Sequence, residues 1–411
     1  MAATALTSAV GIKDGANLDA FSRLRTAHPE TLFNVQCQYG LEPLLLESVV
    51  SGTGVAAVHG ANDRMVAISC TAGTGVSKLQ SYEYVPYQPG KSQLILTTGL
   101  LGAGVAGAVV DFGYGDLSNG IFLRQNGASG LQIMRRTSTS GSIVDNTVEQ
   151  ASWNLDPMNG SGASGITLDV TKVFILVIDL QFLGMGRVRV GFDIGGNIIY
   201  CHEFRNANVI AVPYMQTASL PIMAMVSATS TGATKTSYFK CAAVISEGGF
   251  SRDFGYEFVQ EGTATAGSGA RTHMLSLRPK ATFNSIANRL RFEISEIEML
   301  VTGNSPILWE LVIGQAISGT TTFNDVNGTY SAMEYNTAGT ISESPALVID
   351  SGYVASSATQ KGSDSHELSH RYPITLDAAG AVRLLGTISL IVTGIGGAPA
   401  CRGSIKFREI R

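Results

Sequence analysis

Short segments in which apolar and polar residues alternate, separated by tight-turn dipeptides, run from about residue 50 to the end of the chain. Asn119-Gly120, Asn126-Gly127 and Asn327-Gly328 are the clearest turns, because Asn-Gly readily adopts the positive φ angles that two-residue hairpins require. Segments with the 3.6-residue period of a helix are almost absent, and residues 41–50 are the best helix candidate. This pattern predicts an all-β fold, either an antiparallel β-sandwich or a jelly roll.

The chain is long enough for more than one such domain, since domains average roughly 150 residues. Gly248-Gly249 marks a plausible boundary, and the small and polar run at residues 261–270 is typical of a flexible loop. We therefore predict a jelly-roll-like β-sandwich domain at residues 49–250 and a second β-sandwich domain at residues 251–411. Residues 1–48 are predicted to form an extended N-terminal arm.

The predicted arm has too few apolar residues for a core of its own, yet it carries aromatic residues that a solvated tail would not need. Arg23 and Arg25 point to the same side of an extended chain, and Leu24 points to the other. We expect the arm to contact a neighbouring chain. The predicted contact residues are Phe21, Arg23, Leu24, Arg25, Leu32 and Phe33. The alternative is that the segment folds back on its own domain as an edge strand.

Charged residues make up 15% of the chain, against roughly 25% in ordinary globular proteins. Such a weakly charged surface favours a closed homo-oligomer, and we expect a trimer. The net charge is 28 − 32 = −4, and basic pairs such as Arg187 and Arg189 are too few to follow a phosphate backbone. Direct nucleic-acid binding is therefore not predicted. No run of 18 apolar residues occurs, so no membrane segment is predicted.

The five cysteines are widely spaced and form no CxxC motif, which favours buried free thiols over a zinc ribbon or a redox pair. The first residues lack the charged and apolar regions of a secretion signal. We therefore expect synthesis in a reducing cytoplasm.

One motif in the sequence is typical of a zinc peptidase. His366-Glu-Leu-Ser-His370 matches HExxH, which binds zinc when both histidines lie on one face of a helix. A polar, turn-rich stretch precedes the motif, Pro373 follows it, and no third ligand stands at the expected spacing. A metal-dependent hydrolase using His366 and His370 thus remains a distant alternative, and no metal site is predicted.

Gly102-Ala-Gly104-Val-Ala-Gly107 matches the dinucleotide-binding pattern GxGxxG. That site requires a helix to begin within the motif, but strand-like residues resume at Val109 and leave no room for one. We predict a glycine-rich turn and no cofactor. The sequence also has no GxSxG nucleophile motif. No catalytic residue is predicted, and binding or structure is favoured over catalysis.

Several motifs in the first half of the chain resemble those of a family of virion structural proteins from tailed phages and environmental viruses. They are the opening DAFSRLR at residues 19–25, TLF at residues 31–33, GMGRVRVGF at residues 184–192 and YCHEF at residues 200–204. The resemblance covers roughly residues 18–225. It implies a virion component that is either head-associated, such as a capsid decoration, or associated with the neck or tail. Its partners would be the major capsid protein or neck and tail proteins, with synthesis in the host cytoplasm.

The main functional alternative is a receptor- or glycan-binding module of a fibre or tail. Sugar sites favour exposed aromatic side chains among polar groups. The polar stretch at residues 320–365 contains Tyr330, Tyr335 and Tyr353, which are the candidates for contact with a host-surface glycan.

Overall fold

The computed structural model describes residues 27–71, 73–127, 129–251, 255–341, 346–367 and 373–411. These residues form two domains built almost entirely of β-strands, and every strand pair is antiparallel. The predicted all-β fold is confirmed. None of the described helices is long and apolar enough to cross a membrane.

The first domain contains fifteen strands in the described part of the chain. They are β1 (Glu30–Gln36), β2 (Leu46–Gly52), β3 (Val55–His59), β4 (Val66–Thr71), β5 (Gly75–Ser81), β6 (Gln93–Leu100), β7 (Ala108–Gly115), β8 (Gly120–Asn126), β9 (Leu131–Thr137), β10 (Val144–Glu149), β11 (Phe174–Leu180), β12 (Val188–Ile194), β13 (Asn197–Phe204), β14 (Ile222–Ala228) and β15 (Thr234–Ser246). A short 3-10 helix occupies Gln150–Ser152.

These strands form two sheets. One has the order β13-β12-β11-β6-β15-β4-β3, with β1 also paired to β15, and the other has the order β10-β9-β8-β7-β14-β5-β2. Alternate residues of each strand face a shared apolar core. The rings of Phe112 on β7 and Phe174 on β11 meet edge to face there, with centroids 5.6 Å apart. The first domain is thus a β-sandwich.

The apolar run at residues 172–183 supplies β11, which lies inside its sheet between β6 and β12. Its inward side chains Phe174, Leu176 and Ile178 belong to the sandwich core. This strand is therefore apolar because it forms the core of its own domain. The inward side of this strand is therefore not available for assembly with other chains.

Strand β1 corrects the predicted arm. Residues 30–36 pair with the second half of the 13-residue strand β15, beside the place where β4 ends. A β-bulge between Thr31 and Phe33 turns two successive side chains, Leu32 and Phe33, into the core. The prediction that these two residues anchor a neighbouring chain was wrong, since they anchor their own sandwich as an edge strand does. Phe21, Arg23, Leu24 and Arg25 lie outside the described residues.

Two other local predictions were also wrong. Residues 41–50 form no helix, because a turn leads directly into β2 at Leu46, where pairing with β5 outweighs a weak helical pattern. The first half of the expected flexible loop at residues 261–270 continues a strand paired with the last strand of the chain.

The second domain contains fourteen strands in its described part. They are β16 (Tyr256–Thr265), β17 (Arg271–Pro279), β18 (Thr282–Phe283), β19 (Ile286–Ala287), β20 (Arg291–Val301), β21 (Ile307–Ile313), β22 (Ile317–Gly319), β23 (Asn324–Asp325), β24 (Met333–Asn336), β25 (Gly339–Ile341), β26 (Leu347–Val354), β27 (Ser363–Glu367), β28 (Ile388–Gly394) and β29 (Ala400–Ile410). A second 3-10 helix occupies Leu384–Gly386.

The two larger sheets of this domain have the orders β16-β29-β20-β27 and β23-β24-β17-β28-β21-β26. They share a core that is separate from that of the first domain. Gly403 of β29 packs closely against the other sheet, because a Cβ atom at this position would stand 2.7 Å from the sulfur atom of Met274 on β17.

The second domain contacts one end of the first. The guanidinium of Arg383 lies 3.5 Å from the ring centroid of Tyr82, and that of Arg289 lies 4.4 Å from the ring centroid of Tyr84. The backbone N–H of Ala378 donates to Oε2 of Glu47 at 2.6 Å. The two cores are therefore linked by polar and cation–π contacts rather than by a continuous apolar interior.

Candidate functional site

A charged cavity of about 310 Å³ lies on the first domain. Its lining comes from the loop before β6, from β11 and β12 with the loop between them, and from the residue after β15. The lining residues are Tyr87, Gly90, Lys91, Ser92, Asp179, Gln181, Leu183, Arg187, Arg189 and Glu247.

An ion pair forms one wall of the charged cavity. Asp179 and Arg189 stand directly opposite each other on β11 and β12, and Nε of Arg189 donates to Oδ2 of Asp179 at 2.9 Å. The Arg189 guanidinium also lies 4.1 Å from the ring centroid of Tyr200, and the Tyr200 hydroxyl donates to the same Oδ2 at 3.3 Å. Burial is the largest single influence on the pKa of Arg189 and lowers it. The hydrogen bond to Asp179 and the negative charge of Asp179 together outweigh burial, so the pKa is raised. Arg189 therefore stays charged.

The hairpin between β11 and β12 sets the position of the second arginine. The N–H of Gln181 donates to the carbonyl of Arg187 at 3.0 Å and closes the turn. Arg187 and Arg189 are two residues apart and extend from the same side of the chain. The side chain of Arg187 is half-exposed and lies 3.7 Å from Glu203. The sequence showed this basic pair, but it did not show the carboxylates that the fold places beside it.

An apolar loop patch adjoins the charged cavity. It consists of Leu183, Met185, Val209 and Val212, whose side chains are between 53% and 73% exposed. The two loops that carry them are joined, because the N–H of Tyr214 donates to the carbonyl of Gly184 at 3.0 Å. Leu183 lies at the border between the patch and the cavity. Four large and exposed apolar side chains on two loops that are hydrogen-bonded to each other suit a protein–protein contact surface.

A second, shallower cavity of about 620 Å³ lies on the outer face of the sheet that contains β16, β29, β20 and β27. Glu261 and Glu298 flank Ser404 in one row across three strands, and the hydroxyl of Ser404 donates to Glu298 at 3.4 Å. Arg402 and Leu300 line the next row, and β27 adds Ser363, Asp364 and Ser365. This surface can form hydrogen bonds, but Glu261 and Glu298 stand two strands apart, about 10 Å by ordinary strand spacing.

The three tyrosines proposed as glycan contacts do not form one site. Tyr335 lies on β24 and Tyr353 on β26, which are separated by three intervening strands of the same sheet. That separation corresponds to about 19 Å at ordinary strand spacing. Tyr330 lies in the turn before β24, where its carbonyl accepts a hydrogen bond from Arg411. Tyr330 and Tyr353 are exposed, and Tyr335 is half-buried.

The HExxH motif begins in a strand rather than in a helix, since His366 and Glu367 end β27 opposite Ile297 and Glu296. Residues 368–372 lie outside the described part of the chain. Among the described residues, no group of three or more His, Cys, Asp or Glu side chains could hold a metal ion. The glycines of the GxGxxG motif form a turn between β6 and β7, and Gly102 and Gly107 both have positive φ angles.

No protein-family model matches the sequence, and no curated protein matches it. Among solved structures, the chain is similar to a β-glucanase of Bacillus licheniformis, with 13% identity, a TM-score of 0.32, and coverage of 52% of this chain and 96% of that one. It is also similar to peanut lectin, with 11% identity, a TM-score of 0.34, and coverage of 54% and 98%. A third similarity is to the CBM2 module of the evolved Dit of Lactobacillus casei BL23 phage J-1, with 8% identity, a TM-score of 0.32, and coverage of 55% and 100%. These similarities span about half of the chain and carry no functional argument.

Proposed function

We propose that this chain is a non-enzymatic structural component of a phage virion, either head-associated or associated with the neck or tail, that assembles as a homo-oligomer. The observation that supports the proposal is the apolar loop patch. Exposed apolar clusters of this kind are stabilised when another protein covers them. The sequence motifs of residues 18–225 resemble those of virion structural proteins and agree with this role.

A second copy of the same chain is the partner that best fits the apolar loop patch. The loop that carries Val209 and Val212 contains no charged residue from position 206 to position 218. Contact between copies of an uncharged surface needs no charge complementarity. Closed symmetric oligomers commonly bury such patches.

Light scattering of the purified protein at micromolar concentration tests the proposal, with the double variant Val209→Asp/Val212→Asp as the perturbation. We expect the wild type to form an oligomer, a trimer in the proposed arrangement, and the variant to be monomeric with an unchanged melting temperature. Val173→Asp is the matched control, since Val173 is equally exposed but precedes β11 at the opposite end of the strand. A monomeric wild type that also fails to cross-link to itself on intact particles would refute assembly.

A second candidate function is recognition of a host-surface glycan, and the charged cavity favours it. Its volume lies at the lower end of the roughly 300–1,000 Å³ typical of ligand pockets, and it combines donors and acceptors with the ring of Tyr87 and the side chain of Leu183. Binding of the labelled protein to a glycan array tests this function. Binding that is lost in Gln181→Ala and retained in Tyr353→Ala would assign it to the cavity, whereas the reverse result would assign it to the tyrosine surface.

A further inference from the structure

The charged cavity contains polar atoms that the fold does not use. Asp179 accepts its bonds from Arg189 and Tyr200 on Oδ2, and no described residue donates to its Oδ1. The side-chain amide of Gln181 likewise has no hydrogen-bond partner among the described residues. The one partner of the Arg187 side chain in the described part of the chain is Glu203, at 3.7 Å, a distance too long for a hydrogen bond. The cavity therefore offers both acceptors and donors to a ligand.

The balance of charges in the cavity indicates the charge of that ligand. Lys91, Arg187 and Arg189 supply three positive charges, and Asp179 and Glu247 supply two negative ones, so the lining has a net charge of 3 − 2 = +1. The whole chain has a net charge of −4. A ligand with one negative charge would neutralise the cavity. A neutral ligand would leave Arg187 with its ion pair to Glu203 at 3.7 Å but without a charged group at hydrogen-bonding distance.

The position of each group distinguishes a sugar acid from a simple anion. Arg187 can donate two parallel hydrogen bonds to a carboxylate, and Lys91, whose Nζ donates to the carbonyl of Gly249 at 3.0 Å, has further protons available. A small inorganic anion would use these two cations alone. The acceptor atoms of Asp179 and Glu247 would repel such an anion, but they suit hydroxyl groups on the remainder of a larger ligand.

The apolar part of the lining fits the same ligand. Tyr87 is held in place because its hydroxyl accepts the N–H of Leu183 at 3.2 Å and its ring meets Phe182 edge to face with centroids 5.4 Å apart. Because Tyr87 is mostly buried in the sandwich core, the apolar side chain most open to the C–H groups of a sugar is the exposed Leu183. At about 310 Å³, the cavity has room for one sugar unit rather than for an extended chain.

We infer that the charged cavity binds a single acidic monosaccharide unit, with its carboxylate on Arg187 and Lys91 and its hydroxyls on Asp179, Gln181 and Glu247. This inference rests on the proposed glycan-binding function and specifies its ligand class. It does not depend on assembly through the apolar loop patch.

Calorimetric titration with glucuronic acid and with glucose tests the inference, because the two sugars differ only by the carboxylate. We expect the wild-type protein to bind glucuronic acid at least about tenfold more tightly than glucose, which is typical of one charge-assisted hydrogen bond. N-acetylneuraminic acid and its methyl ester provide a second acidic and neutral pair. Added salt should weaken binding of the acidic sugars only.

Arg187→Ala should lower the affinity for the acidic sugar about tenfold or more, and Arg187→Lys should lower it less. Arg205→Ala is the matched control, because Arg205 also pairs with Glu203 but lies outside the cavity lining. A thermal melt of each variant checks folding.

Three results would contradict the inference in different ways. Equal binding of glucose and glucuronic acid would leave glycan recognition intact but refute the acidic specificity. An equal loss of affinity in Arg187→Ala and Arg205→Ala would show that the effect passes through Glu203 rather than through the ligand. Absence of binding to every sugar, in the titrations and on the array, would refute both the inference and the glycan-binding function.

Discussion

Truncation of one core leucine tests whether the two cores unfold separately. Leu390 of β28 is fully buried in the second core, and its Cδ2 lies 2.9 Å from the position that a Cβ of Gly403 would occupy. Leu390→Ala therefore removes atoms from a tightly packed contact between the two sheets. Such substitutions cost about 2–5 kcal/mol of the free energy of unfolding. The dense surroundings of Leu390 cannot easily collapse into the space, and we expect about 3 kcal/mol or more.

For a domain of about 160 residues, 1 kcal/mol shifts the melting temperature by about 2–4 °C. Leu390→Ala should therefore lower the melting temperature of one transition by about 6–12 °C. The melting temperature of the other transition should change by less than about 2 °C, which corresponds to about 1 kcal/mol or less. Differential scanning calorimetry is the assay. Leu176→Ala, which truncates an equally buried leucine of the first core, should shift the other transition instead.

A single transition that moves by the same amount in both variants would refute the reasoning. It would show that contacts such as Arg383 with Tyr82 and Glu47 with Ala378 couple the domains into one cooperative unit. The boundary predicted near residue 250 would then have no thermodynamic meaning.

Two further predictions concern charged groups buried in the first domain. Asp111 is fully buried and accepts two hydrogen bonds from Arg124, at 2.7 and 2.9 Å, so Asp111→Ala should lower the free energy of unfolding by about 3 kcal/mol. Asp145 is the more exposed carboxylate beside Arg124, and Asp145→Ala should lower the free energy of unfolding by about 1 kcal/mol or less. Equal losses in denaturant titrations of the two variants would contradict this prediction. Burial lowers the pKa of Lys235 to about 8, so between pH 8 and about 10.5 the unfolded chain binds a proton that the folded chain has lost, and the contribution of Lys235 to stability rises with pH. Between pH 7.5 and pH 10, the unfolding free energy of the wild type should therefore rise relative to that of Lys235→Met. A difference between the two proteins that does not change with pH would disprove the assignment.

The sequence predicted the fold class because period-two patterns and Asn-Gly turns are local signals. Asn126-Gly127 was predicted to be a turn, and it begins at Asn126, where β8 ends, and precedes β9 at Leu131. The sequence failed where long-range pairing decides the outcome. Strand β1 forms because β15 extends past β4 and offers it an edge, and β16 extends to Thr265 because β29 pairs with it along its whole length. Neither partner is close in sequence.

The candidate site was less predictable than the fold. Arg187 and Arg189 were visible as a basic pair, but Lys91 and Glu247 come from positions far along the chain, and only the packing of the loops places them beside the arginines. The alternation of Asp179 with apolar residues in β11 was a signal, because a charge that interrupts a buried strand requires an opposite charge across from it. The tyrosines were chosen by composition alone, and the sheet places Tyr335 and Tyr353 far apart.

The arrangement around β15 has a consequence for synthesis on the ribosome. This strand pairs with β1, β4 and β6. Although β4 and β6 also pair with β3 and β11, the edges that they offer to β15 stay unpaired until β15 has left the exit tunnel, and until then β1 has no partner strand among the described residues. During that interval the nascent chain exposes unpaired strand edges, which favour intermolecular association. Pairings so distant in sequence also slow folding. Lower temperature during expression weakens apolar association and should therefore increase the yield of native protein.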